Sequence, residues 1–267
     1  MERLLVLRLE CIGVTAEAVL NGIPVARIKA LPEAASVITV PVHEYTIAGG
    51  NQIELVIEPP PPGRTVAPKP MLSNGRRGAS LRLLLPRIGQ VAHPANARPL
   101  GELDWAPYAD EVNEMPLTLR RTVELPIGFP RWRWLDAPVI DDPQPLLAPA
   151  AAYLQDLALA LARGDPEPML QAARLRLEDL AQAYQQDLAA TAGRWRAQIQ
   201  QLHARQPLEP TMPAADTLLL RPVAGGRLLE CLDPAGEPVL RSPVADAGQV
   251  SWPLRLAAID GKFYVMR

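Results

Sequence analysis

The chain has few of the residues that most often carry chemistry. Its 267 residues include two cysteines and three histidines, and only 4% are aromatic. The only lysines are Lys29, Lys69 and Lys262, and the formal net charge is −2. Proteins that bind nucleic acid or anionic membranes present a basic face, so the near-neutral charge argues against both partners. Arginine in place of lysine, with abundant Ala, Leu and Pro, is typical of GC-rich bacterial coding sequences.

The rare cysteines and histidines also leave little for disulfides, metals or cofactors. Cys11 and Cys231 lie in apolar, strand-like runs of different halves, which predicts two buried thiols rather than a disulfide. Asp141-Asp142 has no further ligand nearby and is predicted to be a turn. The histidines have no Cys or carboxylate at ligand spacing, which predicts no zinc site; they are His43, His93 and His203. No phosphate loop, nucleophile elbow or dinucleotide fingerprint occurs, so no cofactor is expected.

Long apolar runs are missing as well. Arg8 interrupts the run Leu4–Leu7, which is shorter than the roughly 7–15 apolar residues of a signal peptide. No stretch reaches the roughly 20 apolar residues that span a membrane. Hydrophobic residues nevertheless make up 48% of the chain, enough to build real cores. We therefore expect a folded cytoplasmic protein without a membrane partner.

The hydrophobic pattern changes once, near Pro143–Pro149. Before this point apolar residues alternate with polar ones between Pro- and Gly-marked turns, which is the period of a strand. After it they recur every three or four residues, which is the period of a helix. The change predicts an all-β antiparallel sandwich over residues 1–136, a Pro-rich linker over 137–149 and an α+β domain over 150–267.

The first half contains at least six predicted short strands. Asn21-Gly22 between apolar runs predicts a two-residue hairpin, and Pro24 places its strand toward a sheet edge. Ile53–Ile57 and Leu117–Leu125 alternate apolar and polar residues. Together, the Asn-Gly turn and the run from Val42 through Gly49-Gly50-Asn51 to Ile57 resemble galactose-binding-like jelly-roll domains. That resemblance implies a sandwich and a carbohydrate ligand.

The second half begins with predicted helices and ends with predicted hairpins. Leu154, Leu157, Ala158 and Leu161 share a helix face, and a long second helix is predicted from Pro166 to Leu188, followed by a third segment that bends near Gly193. Gly225-Gly226 and Asp260-Gly261 predict two hairpins. The order of elements and the final Asp260–Tyr264 run resemble the nuclear transport factor 2-like cone superfamily. The family includes ketosteroid-isomerase-like enzymes and non-catalytic binding domains, so the resemblance implies a fold rather than an activity.

Aromatic and arginine clusters are the candidate binding residues. Trp132 and Trp134 are two apart, so a strand would place them on one face, with Arg131 on the other. Such a pair either stacks on a sugar or anchors a partner, or it seals the junction of the two domains. Trp105 belongs to a second aromatic group. Arg76 and Arg77 lie in a Gly-containing loop that either grips an anion or is simply solvated.

Candidate catalytic residues are confined to the second half. Catalytic cone proteins need an ionisable group inside the cone, with its pKa set by burial. Glu230 and Arg255 lie on predicted strands and form either an acid–cation pair in a pocket or an ordinary cross-strand salt bridge. Tyr184 is the third candidate.

Three function classes remain open from the sequence. The favoured one is a non-catalytic interaction protein, such as an accessory, immunity or assembly factor, whose partner is another protein or a small apolar or sugar ligand. The alternatives are an isomerase- or lyase-like enzyme on the cone domain and a carbohydrate-binding module. Because cone domains often pair through the outer face of their sheet, a homodimer that covers Leu219 or Leu254 is also expected.

Overall fold

The computed structural model describes residues 4–29, 35–58, 78–87, 90, 93–106, 115–125, 128–205, 208–243 and 248–267. The chain divides into two compact units, Met1–Arg131 and Trp132–Arg267. The first consists of antiparallel sheets, and the second combines a helical region with antiparallel sheets.

In the described part of the first unit there are two four-stranded antiparallel sheets, with orders β4-β1-β6-β7 and β3-β2-β5-β8. The strands are β1 (Val6–Ile12), β2 (Thr15–Leu20), β3 (Ile23–Ile28), β4 (Ser36–Pro41), β5 (Gly49–Glu58), β6 (Gly78–Pro86), β7 (Ala97–Trp105) and β8 (Leu117–Leu125). All six pairings within these sheets are antiparallel, as the alternating sequence pattern predicts.

The two sheets of this unit touch strand over strand. β4 contacts β3, β1 contacts β2, β6 contacts β5, and β7 contacts β8. The approach is close at Gly101 in β7, where an added Cβ would lie 2.4 Å from Cγ2 of Val123 in β8 and 3.1 Å from Cδ1 of Ile53 in β5. Alternate side chains of both sheets, such as Leu9, Leu81 and Leu55, are buried. This layering is consistent with a β-sandwich.

Turn residues set the local connections as the sequence predicts. Asn21 and Gly22 have φ angles of 52° and 73° and join β2 to β3 directly. Both positive angles are those that an Asn-Gly hairpin turn supplies. Side-chain bonds then tie this turn to the sheet, because Asn21 Nδ2 donates to Asn51 Oδ1 at 2.8 Å. Asn21 and Asn51 are therefore structural polar residues of the hairpin corner.

The second unit begins with helices and ends with strands. The helices are α1 (Leu147–Ala162), α2 (Glu167–Ala172), α3 (Arg174–Ala183) and α4 (Leu188–Arg205). The strands are β9 (Leu219–Val223), β10 (Leu228–Leu232), β11 (Leu240–Arg241), β12 (Ser251–Trp252), β13 (Arg255–Ile259) and β14 (Lys262–Val265). They form a four-stranded antiparallel sheet of order β14-β13-β10-β9 and a separate β11-β12 pair.

The helix boundaries differ from the sequence prediction. The predicted second helix is interrupted at Ala173, with φ −95° and ψ 13°, and again after Ala183, where Gln185 adopts a φ of 50°. Gly193 lies inside α4 and causes no break there. The bend is therefore placed wrongly by the sequence: the glycine is accommodated in a continuous helix, whereas a chain reversal of ordinary residues ends α3.

One core joins the helices to one face of the sheet. It contains Leu154, Leu157 and Leu161 of α1 together with Leu229 of β10 and Leu256 of β13. Leu254, expected on an outer dimer face, is instead only 3% exposed and belongs to this core, so that prediction is wrong. Leu219 is 48% exposed.

One described segment, Gln144–Ala162, has the length and composition of a possible membrane span, with a mean hydropathy of 1.3. Its apolar residues include the leucines that α1 contributes to the core.

The segment after Trp132 is bonded into the second unit at two places. The Arg133 guanidinium pairs with Glu178 of α3, and Arg227 Nη1 donates to the Ala137 carbonyl at 2.6 Å. The Ile140 N–H also donates to the Gly226 carbonyl at 2.9 Å. The start of the predicted linker is thus held to the β9–β10 turn.

Candidate functional site

The catalytic candidates Glu230 and Arg255 lie in a row of ionic side chains across the second unit's sheet. Glu230 of β10 is flanked in register by Arg221 of β9 and Arg255 of β13. Arg255 Nη2 donates to Glu230 Oε1 at 2.7 Å, and Arg221 Nε donates to Oε2 at 2.8 Å. Directly opposed strand residues on one face bring such side chains together.

This geometry occupies both oxygens of the Glu230 carboxylate. Glu230 and Arg255 are 5% and 9% exposed, so their charges are largely removed from water and depend on each other. A general base needs a lone pair directed at a substrate proton. Here each oxygen already accepts a hydrogen bond from a guanidinium group. The row has the geometry of a structural ion cluster.

The third catalytic candidate, Tyr184, lies elsewhere. It is half-buried at the end of α3, where its N–H donates to the Leu180 carbonyl at 3.0 Å. Asp179 of the same helix forms a second buried ion pair, in which Arg267 Nη2 donates to Asp179 Oδ2 at 3.1 Å. Burial raises the pKa of Asp179, and the charge of Arg267 opposes that rise. Tyr184 thus lies at a helix end, whereas Glu230 and Arg255 lie on adjacent strands.

The aromatic candidates Trp132 and Trp134 do not form an exposed face. Trp132 and Trp134 are 0% and 3% exposed. They lie at the start of a short 3-10 helix, Arg133–Asp136, and not in the strand that would place both on one face. A carbohydrate-stacking site requires solvent-exposed rings. These two tryptophans therefore offer no stacking surface to a sugar.

The remaining binding candidates belong to the first unit, and two of them lie outside the described residues. Trp105 is half-buried at the end of β7, and Arg131 is exposed. Arg76 and Arg77 fall outside the described residues.

The nucleophile and metal chemistry of the described residues is equally restricted. Both cysteines are free and buried, and burial raises the pKa of Cys11 to about 11 and raises the pKa of Cys231 further. His43 accepts a hydrogen bond from the Leu5 N–H at its Nε2 atom, at 2.8 Å. In the described part of the chain, no group of three or more His, Cys, Asp and Glu side chains is placed to hold a metal ion.

A different feature is found at the sheet edges. There the strand registers show which backbone N–H groups point into the sheet and which point outward. In antiparallel pairs, bonded and non-bonded residue pairs alternate. The Asn21 N–H donates to the Gln52 carbonyl, which is one bonded pair of β2 and β5. The even-numbered residues of β5 are therefore hydrogen-bonded to β2, and its odd-numbered residues are hydrogen-bonded to β8. In the β5–β8 register, odd-numbered residues of β5 lie opposite odd-numbered residues of β8. The N–H groups of the even-numbered residues of β8 therefore point away from the sheet.

Four of the other edge strands contain a proline. In the other two sheets, the hydrogen bonds from the Val42 N–H to the Leu5 carbonyl and from the Cys231 N–H to the Leu254 carbonyl show which residue pairs are hydrogen-bonded. Each proline belongs to a residue pair that is not hydrogen-bonded, so its nitrogen faces the open edge. The prolines are Pro24 in β3, Pro41 in β4, Pro99 in β7 and Pro222 in β9. Each removes an outward donor without removing a ladder bond, a common way to protect a sheet edge.

β8 is the long edge strand that lacks a proline. It is nine residues long and contains no proline. Its outward-directed residues, Thr118, Arg120, Thr122 and Glu124, are all exposed, and among the described residues no strand pairs with that side. The edge strand β14 also lacks proline, but it has only four residues and contacts α2 and α3. We call the side of β8 formed by these four residues the β8 edge.

Known proteins give no guide to this geometry. No family model matches the chain, and no curated protein or solved structure is significantly similar to it. The function of the β8 edge must therefore be inferred from its own contacts.

The sequence predicts the β8 strand but not its position at the edge of a sheet. The alternation of Leu117–Leu125 predicts a strand, and the absence of proline is visible in the sequence. Edge position depends on pairing with β5, which is distant along the chain. The usable signal was the contrast with Pro24, which already indicates an edge strand.

Proposed function

We propose that this chain is a non-catalytic protein-binding protein that receives an extended strand of its partner along the β8 edge. The observation that carries the proposal is a nine-residue, proline-free edge strand in which four exposed residues direct N–H and C=O groups outward. Strand addition to such an edge is a recurring mode of peptide recognition, in which main-chain hydrogen bonds provide affinity.

The charges of β8 favour a specific partner over indiscriminate aggregation. Arg120 and Glu124 alternate with Thr118 and Thr122 on the outward positions. Charged side chains on an edge oppose pairing with apolar strands, while they permit a strand of complementary pattern. Selectivity then comes from the side chains, and affinity comes from the backbone.

The two alternative functions gain less support. An enzyme on the second unit would need a free acid or base, whereas Glu230 accepts hydrogen bonds from both Arg221 and Arg255. A carbohydrate-binding module would need exposed aromatic rings, whereas Trp132 and Trp134 are buried. The stacked sheets support a sandwich in the first unit, and helices on an antiparallel sheet support a cone-like second unit, but neither layout carries an activity.

The test exploits the outward direction of the Thr122 N–H. Thr122→Pro removes one donor of the β8 edge and leaves the bonds to β5 intact. Thr39→Pro is the matched control, because Thr39 is an exposed threonine of β4 whose N–H also faces an open edge. A displayed library of random twelve-residue peptides is selected on the wild-type chain, and the selected peptides are then measured on both variants.

The expected result is that the tightest peptides lose binding to Thr122→Pro and keep binding to Thr39→Pro. Amide hydrogen exchange of the bound wild-type chain should slow at Thr118, Arg120, Thr122 and Glu124. Peptides that bind Thr122→Pro as tightly as wild type would overturn the proposal. Circular dichroism melting checks that both variants are folded.

A further inference from the structure

We infer that the strand which pairs with β8 is β8 of a second copy of this chain, with Thr122 on the twofold axis. The inference rests on the proposed function, because it names the partner of the same edge. Identical chains associate most often through a twofold contact in which one patch meets itself. The β8 edge has a charge pattern that suits such a contact.

The pattern is self-complementary in one register. When two antiparallel β8 strands meet at Thr122, Arg120 of each copy lies directly opposite Glu124 of the other. Symmetry repeats this pair, so the contact contains two opposite-charge pairs. Directly opposed opposite charges stabilise a strand pair, and directly opposed like charges destabilise it.

Neighbouring registers are disfavoured by the same side chains. Centring the contact on Arg120 or on Arg121 places two identical arginines opposite each other. Arg121 is exposed, and its Nη1 atom donates to the Glu102 carbonyl at 3.3 Å. The two adjacent arginines therefore disfavour the registers centred on them. Centring on Glu124 opposes two identical glutamates, and centring on Val123 places Glu124 opposite Thr122 and forms no opposite-charge pair. The register centred on Thr122 is the one that forms both pairs.

The charged groups are available for this pairing. The Arg120 side chain is 64% exposed, and it uses its Nε atom to donate to Glu54 Oε2 at 2.7 Å. Its terminal amino groups have no partner among the described residues. Glu124 is exposed and lies over Gly50 of β5, where an added Cβ would be 2.9 Å from Oε1. Both partners of the proposed pair thus lie on the solvent side of the strand.

Charge complementation between two variants tests the inference. Sedimentation equilibrium over a wide concentration range is measured for wild type, Arg120→Glu and Glu124→Arg. Each single change replaces both opposite-charge pairs with like-charge pairs, and we expect dimerisation to weaken about tenfold or more. A mixture of the two variants restores both opposite-charge pairs, so the mixed dimer should form with nearly wild-type affinity. Arg98→Glu, an exposed charge on the β7 edge, is the control for net charge.

The outcomes separate the inference from the function on which it rests. A wild-type chain that stays monomeric throughout, or a dimer unaffected by Thr122→Pro and by both charge changes, would overturn the inference. If the chain is monomeric but the selected peptides still lose binding to Thr122→Pro, the partner is a foreign strand and the proposed function stands. If the peptides are insensitive to Thr122→Pro, the proposed function fails as well.

Discussion

At the scale of single residues, Glu230 shows how a catalytic-looking pair becomes a structural one. The carboxylate lies between Arg221 and Arg255 on adjacent strands, and all three are held in register by the sheet. Residue types alone predict the pairing of Glu230 with Arg255. The second arginine, which occupies the remaining oxygen, follows only from the hairpin register of β9 and β10.

Removing the carboxylate charge should therefore destabilise the fold. Glu230→Gln leaves Arg255 buried without its counter-ion, and breaking a buried pair in this way costs about 3–5 kcal/mol. Replacing Glu230 and Arg255 together by Leu and Met should cost less than either single loss of charge. Urea unfolding measures the free energy of unfolding of each single variant and of the double variant. Glu167→Gln, which breaks an exposed ion pair with Arg196, should change that free energy little. An unchanged urea midpoint for Glu230→Gln would contradict the structural role.

Tyr153 gives a prediction with a pH dependence. Burial raises its pKa to about 12, and its hydroxyl is buried without a partner among the described residues. In the unfolded chain the pKa is about 10, so the folded state retains the proton at higher pH. The free energy of unfolding should consequently fall as pH rises from about 10 to about 12.

Tyr153→Phe removes both the buried hydroxyl and this titration. An unpaired buried hydroxyl costs about 1–3 kcal/mol, so the variant should be more stable than wild type at neutral pH. The free energy of unfolding of the variant should also fall less than that of wild type as pH rises from about 10 to about 12. Denaturant unfolding at neutral and alkaline pH measures both effects, and a destabilised variant would show that the hydroxyl has a favourable partner.

At the scale of elements, local signals predict turns better than helix boundaries. Asn21-Gly22 and Asp260-Gly261 adopt the positive φ angles that their sequences indicate, because a two-residue turn depends on its own residues. The end of α3 has no such signal. Gln185 takes a φ of 50° although it is neither Gly nor Asn, and α3 packs against α4 and β14. Helix breaks imposed by packing are not readable from periodicity.

Two glycines should respond to alanine with opposite signs. At Gly101 a new Cβ would meet Cγ2 of the buried Val123 at 2.4 Å, and overpacking of this kind costs about 1–3 kcal/mol. At Gly193 in α4 nothing lies within 4 Å of the added Cβ, and a helical Gly→Ala change stabilises by about 1 kcal/mol. Thermal unfolding of the two variants measures the difference. Equal shifts for both would contradict the close approach of the sheets at Gly101.

At the scale of the whole molecule, the predicted class of the elements is confirmed, whereas the edge that carries the proposed function lies outside the residues that the sequence singles out. Antiparallel sheets and a helical region between residues 144 and 205 follow from hydrophobic period. The candidate tryptophans are buried, whereas the β8 edge is built from Thr, Arg and Glu that carry no motif. An edge is defined by which strands lack a neighbour, and that information is distributed over the whole sheet.

The four edge prolines imply that open edges are costly for this chain. Replacing the three exposed ones, Pro41, Pro99 and Pro222, together with Thr restores an outward N–H on each of their strands. Because no ladder bond involves these nitrogens, the melting temperature should change little, while light scattering during thermal stress should rise well above wild type. Pro253→Thr, an exposed proline between β12 and β13, is the control and should leave scattering unchanged. Scattering of the threefold variant that matches the control would mean that these prolines do not protect the sheets, and the contrast that singles out β8 would lose its basis.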